Sequence, residues 1–163
     1  MNIRDAIISQ LRQTGRENIE NVIHYMDRHG FFVRHCHRHH RYVGGLADHA
    51  WQTFLLAQQS APATLSLDSL AIATLLHDLC DCSGMSRFRG HGSRSARMLR
   101  ELGFHLTQEE FLAIRFHMSL SNKNTHPLYE EALRSPLRRL VHHADSQSAH
   151  LHRGGTEREK VTF

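Results

Sequence analysis

The sequence predicts an all-helical, single-domain protein on three observations. Apolar residues recur at three- and four-residue spacing along most of the chain. No segment shows the sustained alternation, bounded by hairpin turns, that marks strands. A length of 163 residues is about one domain's worth, enough for one sizeable core without disulfides.

Taken in order, Ile7, Ile8 and Leu11 make a first apolar stripe, and Ile19, Val22, Ile23 and Met26 make a second that stops at Gly30, a C′ residue. Phe31 to Val43 reads as a basic, histidine-rich loop. Gly44-Gly45 opens a third helix carrying Leu46, Ala50, Phe54 and Ala57, with Pro62 marking its end region. Ser66 is the N-cap of the most apolar segment, Leu67 to Leu79. Cys80 to Gly92, rich in Gly, Ser and Arg, reads as an exposed loop. Helices are expected from Ser93 to Leu102, with Gly103 as the stop, and from Thr107, where Thr107 and Glu110 fit a capping box. Leu120 to Pro127 is a polar connection, and the last helix runs from about Pro136 to about Leu151. Residues 1–153 make the domain, and 154–163, following Gly154-Gly155, a flexible charged tail.

Composition narrows the function classes. The chain is 40% hydrophobic and 22% charged, as in ordinary soluble proteins. No apolar run approaches the roughly 18 residues of a membrane span, and the first residues lack a signal-peptide apolar region, so the expected location is cytoplasmic with no membrane partner. Cys36, Cys80 and Cys82 are too few and too closely grouped for a disulfide framework. The one-residue gap between Cys80 and Cys82 also misses the spacing with which two thiolates grip zinc. A net charge of +4 favours anionic partners such as phosphates. A 7% aromatic content with one Trp argues against a base-stacking platform, and basic residues interleave with Asp27, Asp48, Glu109 and Glu110, so nucleic acid is a disfavoured partner.

Histidine stands out: there are 16, as many as Asp and Glu together. An excess of the commonest metal ligand and neutral-pH acid or base either builds a site or decorates a surface. Leu75-Leu76-His77-Asp78 ends the most apolar helix in an imidazole and a carboxylate, a pair suited to Zn, Fe, Mn or similar ions. His49 lies among Leu46, Ala50 and Phe54, and Asp145 between Leu140-Val141 and Ala149, where an unpartnered polar group would cost stability. His91 flanks a loop, and His117 follows the apolar run Phe111 to Phe116. Each of these four alone reads more readily as a satisfied structural residue; their order beside the His-Asp pair changes that weighing.

The order His49, His77-Asp78, Asp145 on successive helices resembles the HD-domain superfamily of metal-dependent phosphohydrolases, over most of the chain. His39 to His49, reading HHRYVGGLADH, is similar to the opening HH-x-Y-x-GG-L-x-x-H of such domains. His91, His117 and Ala144-Asp145-Ser146 resemble the extra ligands and final helix of dinuclear members. The resemblance implies an HD-type helical bundle with a metal site between helices. His49, His77, Asp78 and Asp145 would hold one divalent metal, Asp78 would bridge, and His91 and His117 would complete a second. One or two ions per chain are expected, from among Fe, Mn, Zn, Ni and Mg.

Two clamped cations would activate water for in-line attack on a phosphomonoester or phosphodiester, nucleotide-like substrate. Many hydrolase members continue as HD-x-G-K, whereas this chain reads His77-Asp78-Leu79-Cys80-Asp81. Asp81 cannot hold a phosphate; with His77 and Asp78 it is expected in the catalytic set, orienting a ligand or water. Phosphate contacts are then sought in His40, Arg41, Arg87, Arg89, Arg94 and Lys123. His142 and His143 read as exposed or as supporting a ligand. The alternatives are a di-iron oxygenase of the same superfamily and a non-catalytic HD binding module, with Asp81 keeping the latter open.

Overall fold

A computed structural model describes residues 2–83, 90–118 and 126–152. Its described residues form eight α-helices and no strand: α1 (Ile3–Gln13), α2 (Ile19–Arg28), α3 (Gly45–Ser60), α4 (Leu67–Leu76), α5 (His91–Glu101), α6 (Gln108–Arg115), α7 (Tyr129–Arg134) and α8 (Pro136–Leu151). A 3-10 turn, Leu79–Ser83, lies between α4 and α5. The predicted all-helical class therefore holds.

Local chemistry starts and stops these helices. The Asn2, Ser66 and Ser135 side chains accept hydrogen bonds from backbone N–H groups of the first turns of α1, α4 and α8, and Pro136 opens α8 where its missing N–H costs nothing. Thr107 and Glu110 form the expected capping box on α6. Glu110 is fully buried, and its carboxylate also takes a 2.7 Å ion pair from Arg16 and a 2.8 Å hydrogen bond from Ser69, tying the α1–α2 turn and α4 to α6.

α3 and α8 pack against each other through the centre, with α4 on both and α6 against α8 and α4. α4 is apolar all round, and Leu70 through Leu76 are buried, the pattern of a helix enclosed by others. Leu46, Ala50, Phe54 and Ala57 of α3 and Leu137, Val141 and Ala144 of α8 close the same core. α1 and α2 cover one side with Ile7, Leu11, Val22 and Met26 and are pinned by a bidentate Arg4–Asp27 pair at 3.0 and 2.8 Å.

Three boundaries differ from expectation. α4 stops at Leu76 rather than Leu79, because His77 caps it and its ring turns back onto the helix's own carbonyl. α5 begins at His91, not Ser93, since Gly90 in a left-handed conformation (φ +92°) starts it two residues early. The Cys80 to Gly92 stretch is not wholly an exposed loop: Leu79 and Cys80 are buried in the 3-10 turn, and the Cys80 N–H donates to Ser95 Oγ at 3.1 Å. Residues 154–163, the expected tail, lie outside the described residues.

Candidate metal centre

Helix ends aim the imidazoles. His77 caps α4, and its Nδ1 donates to the Thr74 carbonyl at 2.8 Å; His117, just past α6, repeats the motif on the Ile114 carbonyl at 2.8 Å. A carbonyl only accepts, so each Nδ1 carries a proton, and Nε2 is the nitrogen whose lone pair each ring would offer a cation in its neutral form. His49 extends from α3 with Nδ1 3.0 Å from Ser148 Oγ of α8. Asp145 reaches in from α8, and His91 is the first residue of α5.

The six side chains named for the metals meet in one place, where two groups can be drawn that His77, His117 and Asp145, themselves mutually close, connect. In the first, His49 Nε2 is 3.1 Å from Asp145 Oδ1 and 3.2 Å from His77 Nε2, and His77 Nε2 is 3.7 Å from Asp145 Oδ1. In the second, His91 Nε2 and His117 Nε2 are 2.9 Å apart. Asp78 lies between them. Its Oδ2 faces His77 and His49 at 3.6 and 4.0 Å, and its Oδ1 faces His91 and His117 at 3.4 and 3.5 Å. Donors about 2.1 Å from one ion stand about 3.0–3.4 Å apart in octahedral or tetrahedral arrangement; the 3.1 and 3.2 Å separations around His49 and those of 2.9–3.5 Å among Asp78, His91 and His117 are close to that edge, and the 3.6–4.0 Å separations of His77 from Asp78 and Asp145 and of His49 from Asp78 are longer.

The chemistry of the donors fits a divalent metal. Asp78 Oδ1 is buried and receives no hydrogen bond, a costly condition for a carboxylate oxygen unless a cation meets it. Neutral imidazole and carboxylate together suit Zn, Mn, Fe or Ni. Electrostatics inside the cluster are uneven. Burial pushes the His77 imidazole down, but Asp78 and Asp145 and the Thr74 carbonyl outweigh it and lift His77 to about 9. Burial, with His77 beside it, pushes His117 down to about 4. Despite burial, the surrounding imidazoles hold the carboxyls of Asp78 and Asp145 below the usual range.

Supporting contacts from α8 fix the second group. Arg138, buried, donates to the carbonyls of Phe116 at 2.7 Å and Met118 at 3.0 Å, and His142 Nδ1 donates to that of His117 at 2.7 Å. Three consecutive carbonyls after α6 are thus held, and with them the His117 backbone. His142 is the supporting histidine that sequence suggested. Nothing in the sequence marked Arg138, because a basic residue on a polar helix reads as solvated.

Other expected site residues fall elsewhere. Asp81 is half-buried in the 3-10 turn, where its Oδ1 accepts from the Cys80 thiol at 3.6 Å. Arg94 is half-buried on α5, and Arg41 is exposed. His40 is fully buried beside His39 and His49, with Nδ1 3.0 Å from His39 Nδ1 and Nε2 3.1 Å from Gln52 Oε1. Arg87, Arg89 and Lys123 lie outside the described residues. Gln52, Ser148 and His152, which sequence reasoning passed over, are buried directly behind His49. A polar residue three positions after His49, on the same helix face, was the available signal.

These features define an all-helical protein folded around a buried His/Asp cluster of metal-ligand composition. The HD domain family model matches residues 46–150, and the chain belongs to that family, which lies in a superfamily of metal-dependent hydrolases. Comparison with curated proteins found no match, and comparison with solved structures found none. The match takes in all six residues of the cluster. No helix among the described residues is long and apolar enough to cross a membrane.

Proposed function

We propose that this chain is a metal-dependent phosphohydrolase acting on a small phosphate ester, nucleotide-like in class, with His49, His77, Asp78 and Asp145 holding one divalent cation and Asp78, His91 and His117 a second. The observation that carries the proposal is the division of Asp78: one carboxylate oxygen faces each imidazole group. Divalent cations held there would polarise a phosphoryl oxygen and make a water nucleophilic near neutral pH. In this assignment the second cation would have three protein donors, which leaves room for substrate or water, and the first would have four.

The protein supplies position. The Nδ1 bonds of His77, His117 and His49 hold three rings with Nε2 turned to the cluster, so little reorganisation is needed on binding. Arg94, half-buried on α5 one turn after His91, would be a cation for an anionic substrate, and Asp81, whose Oδ1 accepts from the Cys80 thiol, would orient a ligand or water rather than bind phosphate.

The test is a screen of phosphomonoesters, phosphodiesters and nucleotides with protein reconstituted separately with Mn²⁺, Zn²⁺, Ni²⁺, Fe²⁺ and Mg²⁺. Hydrolysis that Asp78→Ala abolishes supports the proposal. Turnover that survives Asp78→Ala contradicts it, and oxygen consumption by the iron form without phosphate release would move the chemistry to an oxygenase. Tight binding of a phosphate compound with no product would make the chain a binding module.

A further inference from the structure

Behind the candidate ligands lies a buried polar network of which the phosphohydrolase reading uses only the Ser148–His49 contact. Gln52, one turn after His49 on α3, places its side-chain amide among three groups. Its Oε1 is 3.1 Å from His40 Nε2 and 3.3 Å from Ser148 Oγ, and its Nε2 is 3.1 Å from His152 Nε2. Ser148 Oγ in turn is 3.0 Å from His49 Nδ1. Gln52 is 8% exposed and the other three are 3% or less. A Leu or Met would fill the same volume without the desolvation cost of an amide, so the polar residue stays buried only because every partner answers it.

Proton bookkeeping gives the network a direction. If His49 gives its Nε2 lone pair to a cation, its ring proton must sit on Nδ1, and Ser148 Oγ accepts it. The hydroxyl's own proton then points to Gln52 Oε1, which also accepts from His40 Nε2–H, while the amide NH₂ donates to His152 Nε2. With its Nε2 proton on Gln52, His40 leaves Nδ1 to accept from His39 Nδ1–H. Each donor meets an acceptor in this sense.

We propose that Gln52, acting through Ser148, is a positioning residue for His49, fixing the tautomer that leaves Nε2 free for a cation. The inference rests on the metal reading of the cluster. Gly45 belongs to the same device: a Cβ there would overlap the His40 carbonyl oxygen, so glycine lets the His40 segment close over the start of α3.

The experiment is a Zn²⁺ titration of the metal-free full chain against a chromophoric chelator, with the equivalent lost in Asp145→Ala identified as that of the first group. Ser148→Ala and Gln52→Met should weaken that equivalent about 10–100-fold and leave the other unchanged. Ser148→Thr should restore it, and Gln52→Glu, which keeps the acceptor and adds negative charge, should bind as tightly as wild type or more so. A packing role predicts the reverse order, with buried Glu worse than Met and both equivalents weakened together; that result overturns the inference. Unchanged affinity in Ser148→Ala and Gln52→Met overturns it alone, while a wild-type chain that binds no Zn²⁺ overturns the reading of the cluster and this inference with it.

Discussion

Asp78 and the imidazoles around it show how single residues acquire a role from their surroundings. His39 and His40 are pushed by burial to about 4 and about 2, from 6.5 for a free imidazole, and His117 to about 4. An imidazole depressed in the folded state contributes stability that is present above pH 6.5 and lost as pH falls, because the unfolded chain takes the proton first. Between pH 7.5 and 5.5 each such group costs on the order of 1 kcal/mol. His77, lifted to about 9 by Asp78 and Asp145 against its burial, works in the opposite sense and gains about as much over the same window. Three groups against one leave a net loss of about 2 kcal/mol. The urea midpoint of the metal-free protein should therefore fall from pH 7.5 to 5.5, and a flat or rising midpoint would contradict these assignments. At this scale the sequence pointed to the side chains that meet in the cluster and, His142 apart, was silent about the groups that support them. His49, His77, Asp78 and Asp145 were legible because polar groups stood among apolar ones. Gln52, Ser148 and Arg138 were not, because their roles depend on α3, α6 and α8 meeting in space.

Among the helices, the approach of α5 to α6 decides whether His91 reaches His117. Gly92 makes that approach: a Cβ there would overlap the Ile114 carbonyl oxygen and crowd that of Arg115. Gly92→Ala should push the two helices apart, cost about 1–3 kcal/mol in denaturant unfolding, and weaken the cation held by His91 and His117 more than the other. Equal affinity for both cations in this variant would show that α5 is not set by that contact. Periodicity and caps located most of the helices, including the α6 capping box and the Pro136 start of α8. It did not show α7, six residues long between loops, or the 3-10 turn, because neither is long enough to carry a period. The end of α4 was misplaced by three residues for a related reason: Leu79 continues the apolar run, but the chain has already left the helix at His77 to present Asp78.

For the molecule as a whole, helices packed about α3, α4 and α8 enclose a polar cluster whose donors could hold a cation. Ligands bound only by the folded state raise stability with concentration. Added Zn²⁺ or Mn²⁺ should raise the unfolding temperature, and a chelator should reverse the rise; Asp78→Asn should remove most of the response. The fold class and family were readable because the HD pattern spans most of the chain in order, whereas the substrate depends on contacts with side chains whose orientation no spacing dictates. The central claim is that one carboxylate joins two metal sites. The most direct test is metal content per chain, by element, for wild type, His91→Ala and Asp78→Asn, with circular dichroism confirming that each is folded. Two equivalents in wild type, one in His91→Ala and fewer than one in Asp78→Asn are the predicted result. No metal in the reconstituted wild type, or two equivalents retained in folded Asp78→Asn, would contradict it.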